Sequence, residues 1–517
     1  MTTTSDRKRK GLTRRQFIPR AGGLLAAMGF AGAAGYDLRG GSQPSTPAPE
    51  PTGPTATTVP TAGNPGSGVA TFVSRPDLRP AEVRITEVAA HPNIKDEPRF
   101  IVMAPMADIP YKSVQRGPMI IDRRGRIVWY QPTDDSTFDV QVQMYKGQRV
   151  LTWWHGSLLQ GWGQGVGEIV DETYTKIATV GDQKRLPLDL HEFTLTPRGT
   201  ALATSYETRP ADLSSIGGAK HGQLLVSHAL EIDVATNRLL MDWVSIDHVG
   251  MDESYQPLPS SPSEAYNYFH INSVAEAPDG NLLISGRNTW CVYKVHRETG
   301  AVMWRLNGKR SDFKLDSDAD FSWQHHVRAH GRSGLTLFDN AMTSGHSSLA
   351  LHLQLDEAKR QASLKHAYQH PAKFVAWTLG SVQIRPDGHV FVGWGAQPYF
   401  SEFSPDGELL VDGQFESTTR SYRTFLSEWT GRPNDKPVIV AHANGGGSFI
   451  VYASWNGATE IHRWQVLAGS DPASLQPVGS QSWTGFETTI VVNSDGPLFQ
   501  VVALDRHGNE LGRSDVA

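Results

Sequence analysis

From about Ala70 onward the chain repeats one phrase: a tight turn containing glycine, a short strand of alternating apolar residues, then a second strand. It occurs at Asp122-Arg-Arg-Gly-Arg-Ile-Val-Trp-Tyr130, Ala277-Pro-Asp-Gly-Asn-Leu-Leu-Ile284, Arg385-Pro-Asp-Gly-His-Val-Phe-Val392 and Ser404-Pro-Asp-Gly-Glu-Leu-Leu410. Proline presets φ and glycine supplies φ > 0, so Pro-Asp-Gly closes hairpins. The alternation that follows each turn has the two-residue period of a strand. No long amphipathic helix is apparent between these units. A chain built this way is all-β. Hairpins this dense, in loosely similar units tens of residues long, predict a β-propeller, with a stack of β-sandwiches as the alternative. The clearest unit runs from Asn281 to Leu306 and reads as three consecutive strands of a meander.

The 517 residues carry a net charge of −5 and a pI near 6.4, so no global basic field attracts nucleic acid or anionic lipid. Recognition of an anion must come from a few local residues. Cys291 is the single cysteine, which excludes an intramolecular disulfide and any CxxC site. At the N-terminus, basic residues Arg7 to Lys10 precede Thr13-Arg-Arg-Gln-Phe-Ile18, the form of a twin-arginine export signal. The apolar stretch from Ala21 to Gly35 is shorter than the about 20 residues a membrane span needs. The sequence thus predicts export to the periplasm, cell surface or medium, with only transient membrane contact. The expected organisation is a signal segment over 1–40 and a Pro/Thr/Ser/Gly-rich disordered linker over 41–69. An N-terminal β segment (70–116), a β-propeller catalytic domain (117–470) and a C-terminal β segment (471–517) follow.

Four segments place histidine beside a turn or strand of this type: Leu188-Asp-Leu-His-Glu-Phe193, His270-Ile-Asn272, Trp323-Gln-His-His-Val327 and His442-Ala-Asn444. Residues i and i+2 of a strand share a face, so His270 and Asn272 present a base or nucleophile beside a neutral hydrogen-bond donor. The segments lie tens of residues apart, which is compatible with different strand units converging on one site. Arg287 and the pair His325-His326 would make that site a pocket for an anion. Only one of two adjacent strand residues faces a given side, so His326 takes the place of His325 if the strand is turned the other way. Phe338-Asp339-Asn340 reads as a turn-shaping motif, and Cys291 as a small buried apolar residue.

Asp189-Leu-His-Glu-Phe-Thr-Leu-Thr-Pro197, Tyr268-Phe-His-Ile-Asn-Ser-Val274 and Ser285-Gly-Arg-Asn-Thr289 resemble the bacterial arylsulfate sulfotransferase family. Phe321-Ser-Trp-Gln-His325, Thr336-Leu-Phe-Asp-Asn340 and Ser454-Trp-Asn-Gly-Ala-Thr459 extend the likeness over most of residues 120 to 470, in consistent order. The branch resembled is the one common in exported actinobacterial and fungal proteins. The resemblance implies a six-bladed β-propeller, here with N- and C-terminal β extensions. It also implies sulfuryl transfer from an aryl sulfate to a phenol through a sulfated histidine, without a nucleotide donor, cofactor or metal.

Carried over by residue, the resemblance makes His325 the nucleophile and His270 with Asn272 the His-x-Asn pair. Arg287 becomes the sulfuryl-binding arginine and His191 the remaining histidine of the site. Tyr266, Tyr268, Trp290 or Trp323 would hold the aryl ring. Two other readings remain. One is a metal-dependent hydrolase with His191, His270 and His325 as a His₃ site. The other is a non-catalytic propeller that binds a partner.

Overall fold

The computed structural model describes residues 68–87, 98–106, 114–341, 347–415 and 419–517. The expected signal segment and nearly all of the expected linker lie outside the described residues. Among those described there is no α-helix; strands joined by turns and a few short 3₁₀ turns make up the regular structure. The Pro-Asp-Gly sites behave as hairpin turns, with Gly280, Gly388 and Gly407 all at φ between +82° and +88°.

The all-β reading holds, but the expected six-bladed β-propeller with simple terminal extensions is corrected. The strands form eight separate small sheets of three to five strands, and none closes or curls on itself. Part of the reason lies in the C-terminal region, which has apolar faces of its own. Val438–Gly445, Ser448–Ser454 and Glu487–Asn493 make one sheet. Arg463–Gly469 pairs with Gln476–Ser482 and Leu498–Leu504 in another, and Val451, Trp464, Ile490 and Val501 bury a core between the two sheets.

Three of the other six sheets are built on local antiparallel meanders, beginning at Ser136–Tyr145, Asp189–Leu195 and Ile271–Glu276, the second with Ala265–Tyr266 added in parallel. The sheet begun by His325–His330 adds Lys314–Leu315 at its far edge. The last two recruit the N-terminal region: Val83–Glu87 pairs with Leu409–Phe415, and Phe100–Met106 pairs with Arg420–Ser427. The first strands of these sheets neighbour one another in succession. Ser136–Tyr145 packs on Asp189–Leu195, then Ile271–Glu276, His325–His330, Ser381–Ile384 and Arg420–Ser427 follow, the last packing again on Ser136–Tyr145.

Five of these six first strands are irregular at one level. Pairing shifts between Phe138 and Gln141, across Leu190 to Glu192, at Asn272, between His325 and Arg328, and across Tyr422 and Arg423. A bulge leaves a residue out of the ladder and re-aims its side chain. Asp139, His191, Glu192, Asn272, His326 and Arg423 all fall inside these shifts. Apolar clusters such as Leu225, Phe269, Val274 and Tyr293 fill the space between sheets, so the bulged residues are held on a rigid frame.

Candidate active site

Two imidazoles pack together at the inner strands, with a third and a guanidinium within electrostatic reach. The rings of His191 and His270 lie 4.9 Å apart, edge to face. Burial holds His270 well below the ordinary histidine range, and the nearby charges of His191, Arg287 and His325 push it the same way. His325 is held well below by burial, then by Arg287, with His191 and Arg423 adding to it. His191, His270, Arg287 and His325, expected from four separated segments, are therefore electrostatic neighbours.

Their hydrogen bonds differ. His191 Nδ1 donates to Asp189 Oδ2 at 2.6 Å. The Asp189 carboxylate is wholly buried and also accepts from Gly163 N at 2.7 Å, His191 N at 3.0 Å and Thr204 Oγ1 at 3.0 Å. His270, at φ +54°, has its Nδ1 2.7 Å from the Asn267 side-chain amide nitrogen. His325 Nδ1 lies 2.7 Å from Asn340 Oδ1, and its Nε2 accepts from Leu379 N at 3.3 Å. Arg287 donates to Asn288 Oδ1 at 3.0 Å and to Trp377 O at 3.1 Å, and stacks 4.6 Å over the Trp323 ring. Burial lowers it to about 10, so it stays charged at neutral pH.

The backbone here is strained in a way the sequence does not announce. His270, Trp290, Trp323, His326 and Leu379 all have φ between +51° and +67°. Such conformations cost bulky residues about 1–3 kcal/mol each and collect at functional sites. Leu379 is followed by Gly380 at φ +115°, where a Cβ would collide with the Phe338 ring. The turn that reaches His325 is thereby pinned.

The remaining candidates separate. Asn272 is fully buried and its Nδ2 donates to Gln324 O at 2.7 Å, which ties the His270 strand to the residue before His325. His326 turns the other way: its Nδ1 accepts from Val382 N at 3.2 Å, and its ring lies 5.4 Å from Phe425. It lines a cavity of about 230 Å³ with Gln141, Arg328, His330, Gln383 and Ser427. His442 is exposed on the Val438–Gly445 strand, near Tyr452. Tyr268 is sealed in the core, and Tyr266 Oη is spent on Gln256 O. Trp290 and Trp323 sit edge to face at 5.6 Å beside Arg287, with Tyr255 stacked on Trp290 at 3.7 Å.

Between the two histidine faces lies a buried ionic layer that sequence reasoning missed. Arg423 donates to Asp139 Oδ1 at 2.9 Å, to Glu192 Oε2 at 3.2 Å and to His191 O at 2.7 Å. Arg328 adds a second guanidinium on Glu192 at 2.8 Å. Burial raises Asp139 to about 6, opposed by Arg423. Glu192 stands next to His191 in the sequence, which is the one signal that pointed here. Among the described residues no group of three or more His, Cys, Asp or Glu is gathered so as to hold a metal ion, so the His₃ alternative lacks its donor set.

Residues 141–416 match the profile of a family described as arylsulfotransferase (ASST). No curated protein matches the chain. Solved structures that align with it include a protein of unknown function from Bacteroides caccae, at 11% identity over 64% of this chain and 99% of that one, with TM-score 0.39. A protein from Lactobacillus plantarum aligns at 12% identity over 77% of this chain and 99% of that one, TM-score 0.34. A virginiamycin B lyase from Staphylococcus aureus aligns at 7% identity over 73% and 97%, TM-score 0.32.

Proposed function

The chain belongs to the arylsulfotransferase family, and from that membership we propose that it moves a sulfuryl group from an aryl sulfate to a phenol through a sulfated His325, with no nucleotide donor. The observation that carries this reading is the grouping of His191, His270 and His325 with Arg287, the imidazoles of His270 and His325 held neutral by burial. A neutral imidazole nitrogen is a competent nucleophile, and a sulfated one remains reactive.

In the first step His325 Nε2 forms a bond to sulfur as the bond from sulfur to the aryl oxygen breaks. His191 gives a proton from Nε2 to the departing aryl oxide, while the Asp189 carboxylate at Nδ1 orients its ring. In the second step the acceptor phenol gives its proton to His191, its oxygen bonds sulfur, and the sulfur–nitrogen bond breaks. His325 recovers its lone pair and His191 its proton. The transition state is loose, with charge on the peripheral oxygens, as in phosphoryl transfer. Arg287 and a ring N–H of His270 are the donors for that charge. Leu379 N–H, now on His325 Nε2, must leave the lone pair before attack. Trp290 and Trp323 offer the aryl ring a face beside Arg287.

The Thr13–Ile18 motif supports placing this reaction outside the cytoplasm. The test is incubation with a chromogenic aryl sulfate, with and without an acceptor phenol. Phenol release that accelerates with acceptor, together with a sulfated acceptor product, is expected. Absence of both at any donor concentration overturns the proposal and leaves a non-catalytic binding protein.

A further inference from the structure

Two histidines of the cluster are held at Nδ1 by chemically different partners. His191 faces a carboxylate and His325 faces an amide. The orientation of that amide is fixed, because Asn340 Nδ2 donates to two carbonyl oxygens, Ala376 O at 2.6 Å and Leu379 O at 3.0 Å. Its Oδ1 is therefore the atom 2.7 Å from His325 Nδ1. A carbonyl oxygen only accepts, so Nδ1 must carry the proton. On the opposite edge of the ring, Leu379 N–H requires Nε2 to accept. Two independent partners impose one tautomer, with the lone pair on Nε2.

We propose that Asn340 is the positioning residue that makes His325 the nucleophile, and that the contrast between its amide and the Asp189 carboxylate divides the work between His325 and His191. The inference rests on the sulfuryl-transfer reading and deepens it. Histidine free in water favours the proton on Nε2, which would hide the lone pair that attacks sulfur. Asn340 reverses that preference without adding a charge. When Nε2 bonds sulfur the ring becomes cationic, and the Nδ1–H to Oδ1 bond strengthens as it does so. Because the partner is neutral, the sulfated ring is not over-stabilised and stays able to discharge to a phenol. A carboxylate in the same place would favour imidazolium before reaction, the state His325 must avoid.

The local backbone serves this placement. Asp339 Oδ1 accepts from Ser322 N and Ala341 N, both at 2.9 Å, and closes the turn that leaves Asn340 wholly buried against His325. The Phe338-Asp339-Asn340 motif thus has one residue for the turn and one for the chemistry.

The experiment uses the full-length protein labelled with ¹⁵N-histidine. Imidazole nitrogens are correlated with the ring carbon-bound protons at neutral pH, and His325 is assigned by its loss in H325Q. The expected spectrum has a protonated Nδ1 and an unprotonated Nε2 for His325. In N340A only Leu379 N–H still favours that tautomer, so part of the population shifts its proton to Nε2, and the burst of phenol release from an aryl sulfate slows by about 10- to 100-fold, the usual effect of losing an orienting partner. N340S, which keeps an acceptor oxygen, is expected between the two. N340D is expected to shift the acid limb of kcat/KM for the donor upward by about one pH unit. Unchanged shifts of the other imidazoles report that each variant is folded. A wild-type His325 with its proton on Nε2, or an N340A protein with unaltered tautomer and burst, overturns the assignment. A wild-type protein with the expected tautomer but no burst counts against the transfer reading, not against Asn340.

Discussion

Two buried polar layers share the same bulged strands and treat charge in opposite ways. Around Arg423, four charged groups are paired: Arg423 with Asp139 and Glu192, and Glu192 again with Arg328. Around His325, the strongly buried imidazoles of His270 and His325 are neutral, and Arg287 hydrogen-bonds the neutral oxygens of Asn288 and Trp377. The first layer satisfies its charges within the protein and also fixes backbone, since Arg423 holds His191 O and Asn272 O. The second presents a cation and N–H donors of the kind a sulfuryl group requires.

The largest effect comes from breaking the paired layer. Arg423→Met leaves Asp139 and Glu192 as buried carboxylates short of a partner, and is expected to lower the unfolding free energy by about 3–5 kcal/mol in urea titrations. A loss below about 1 kcal/mol would show that the layer is not a frame. Next, Arg287→Lys is expected to reduce kcat about 100-fold without a comparable change in stability, because an ammonium cannot match the planar two-point recognition of sulfuryl oxygens. If kcat holds and Tm falls instead, Arg287 belongs to the frame.

The pH dependence sharpens the contrast further. His270, His325 and His326 are held below the ordinary histidine range in the folded protein, chiefly by burial. The unfolded chain takes up protons on them as pH falls through about 6.5, while the folded chain does not. Stability present above that pH is therefore lost on acidification. His326→Gln should make the loss between about pH 6.5 and 5 shallower, as followed by Tm, while leaving the donor half-reaction intact. Asp339 runs the other way, because burial raises it to about 7. Its contribution is full below the ordinary carboxylate value near pH 4 and is lost as pH rises to about 7. Asp339→Asn should gain Tm relative to the parent across that window and hold the gain above it. A gain that shrinks with rising pH would contradict the assignment.

How much of this was legible follows from the range of each signal. Hairpin turns are local, so Pro-Asp-Gly and its glycine fixed the all-β class. Sheet partnership is not local. Nothing in Phe100–Met106 states that it pairs with Arg420–Ser427, and the apolar faces after residue 438 did not declare two sheets of their own. The histidine positions were readable because imidazoles beside turns are conspicuous and their order resembled a family. The bulges were not readable, and they decide direction. His325 and His326 face opposite sides as any adjacent strand pair does, but a bulge leaves His326 and Val327 out of the ladder, and others turn Asp139 and Arg423 into the paired layer. Asn272 shared a face with His270 in the regular-strand reading, yet it lies in a register shift and binds Gln324 O. Asn340 passed for a turn residue because its partner is set by tertiary packing.

Which imidazole accepts the sulfuryl group separates His325 from His326 as the nucleophile. Rapid quenching after mixing with an aryl sulfate in the absence of acceptor, followed by peptide fragmentation at mildly alkaline pH, locates the adduct. One added SO₃ on His325, retained in His326→Gln and lost in His325→Asn, is the predicted result. An adduct on His326, or none at all while phenol is released, would contradict it.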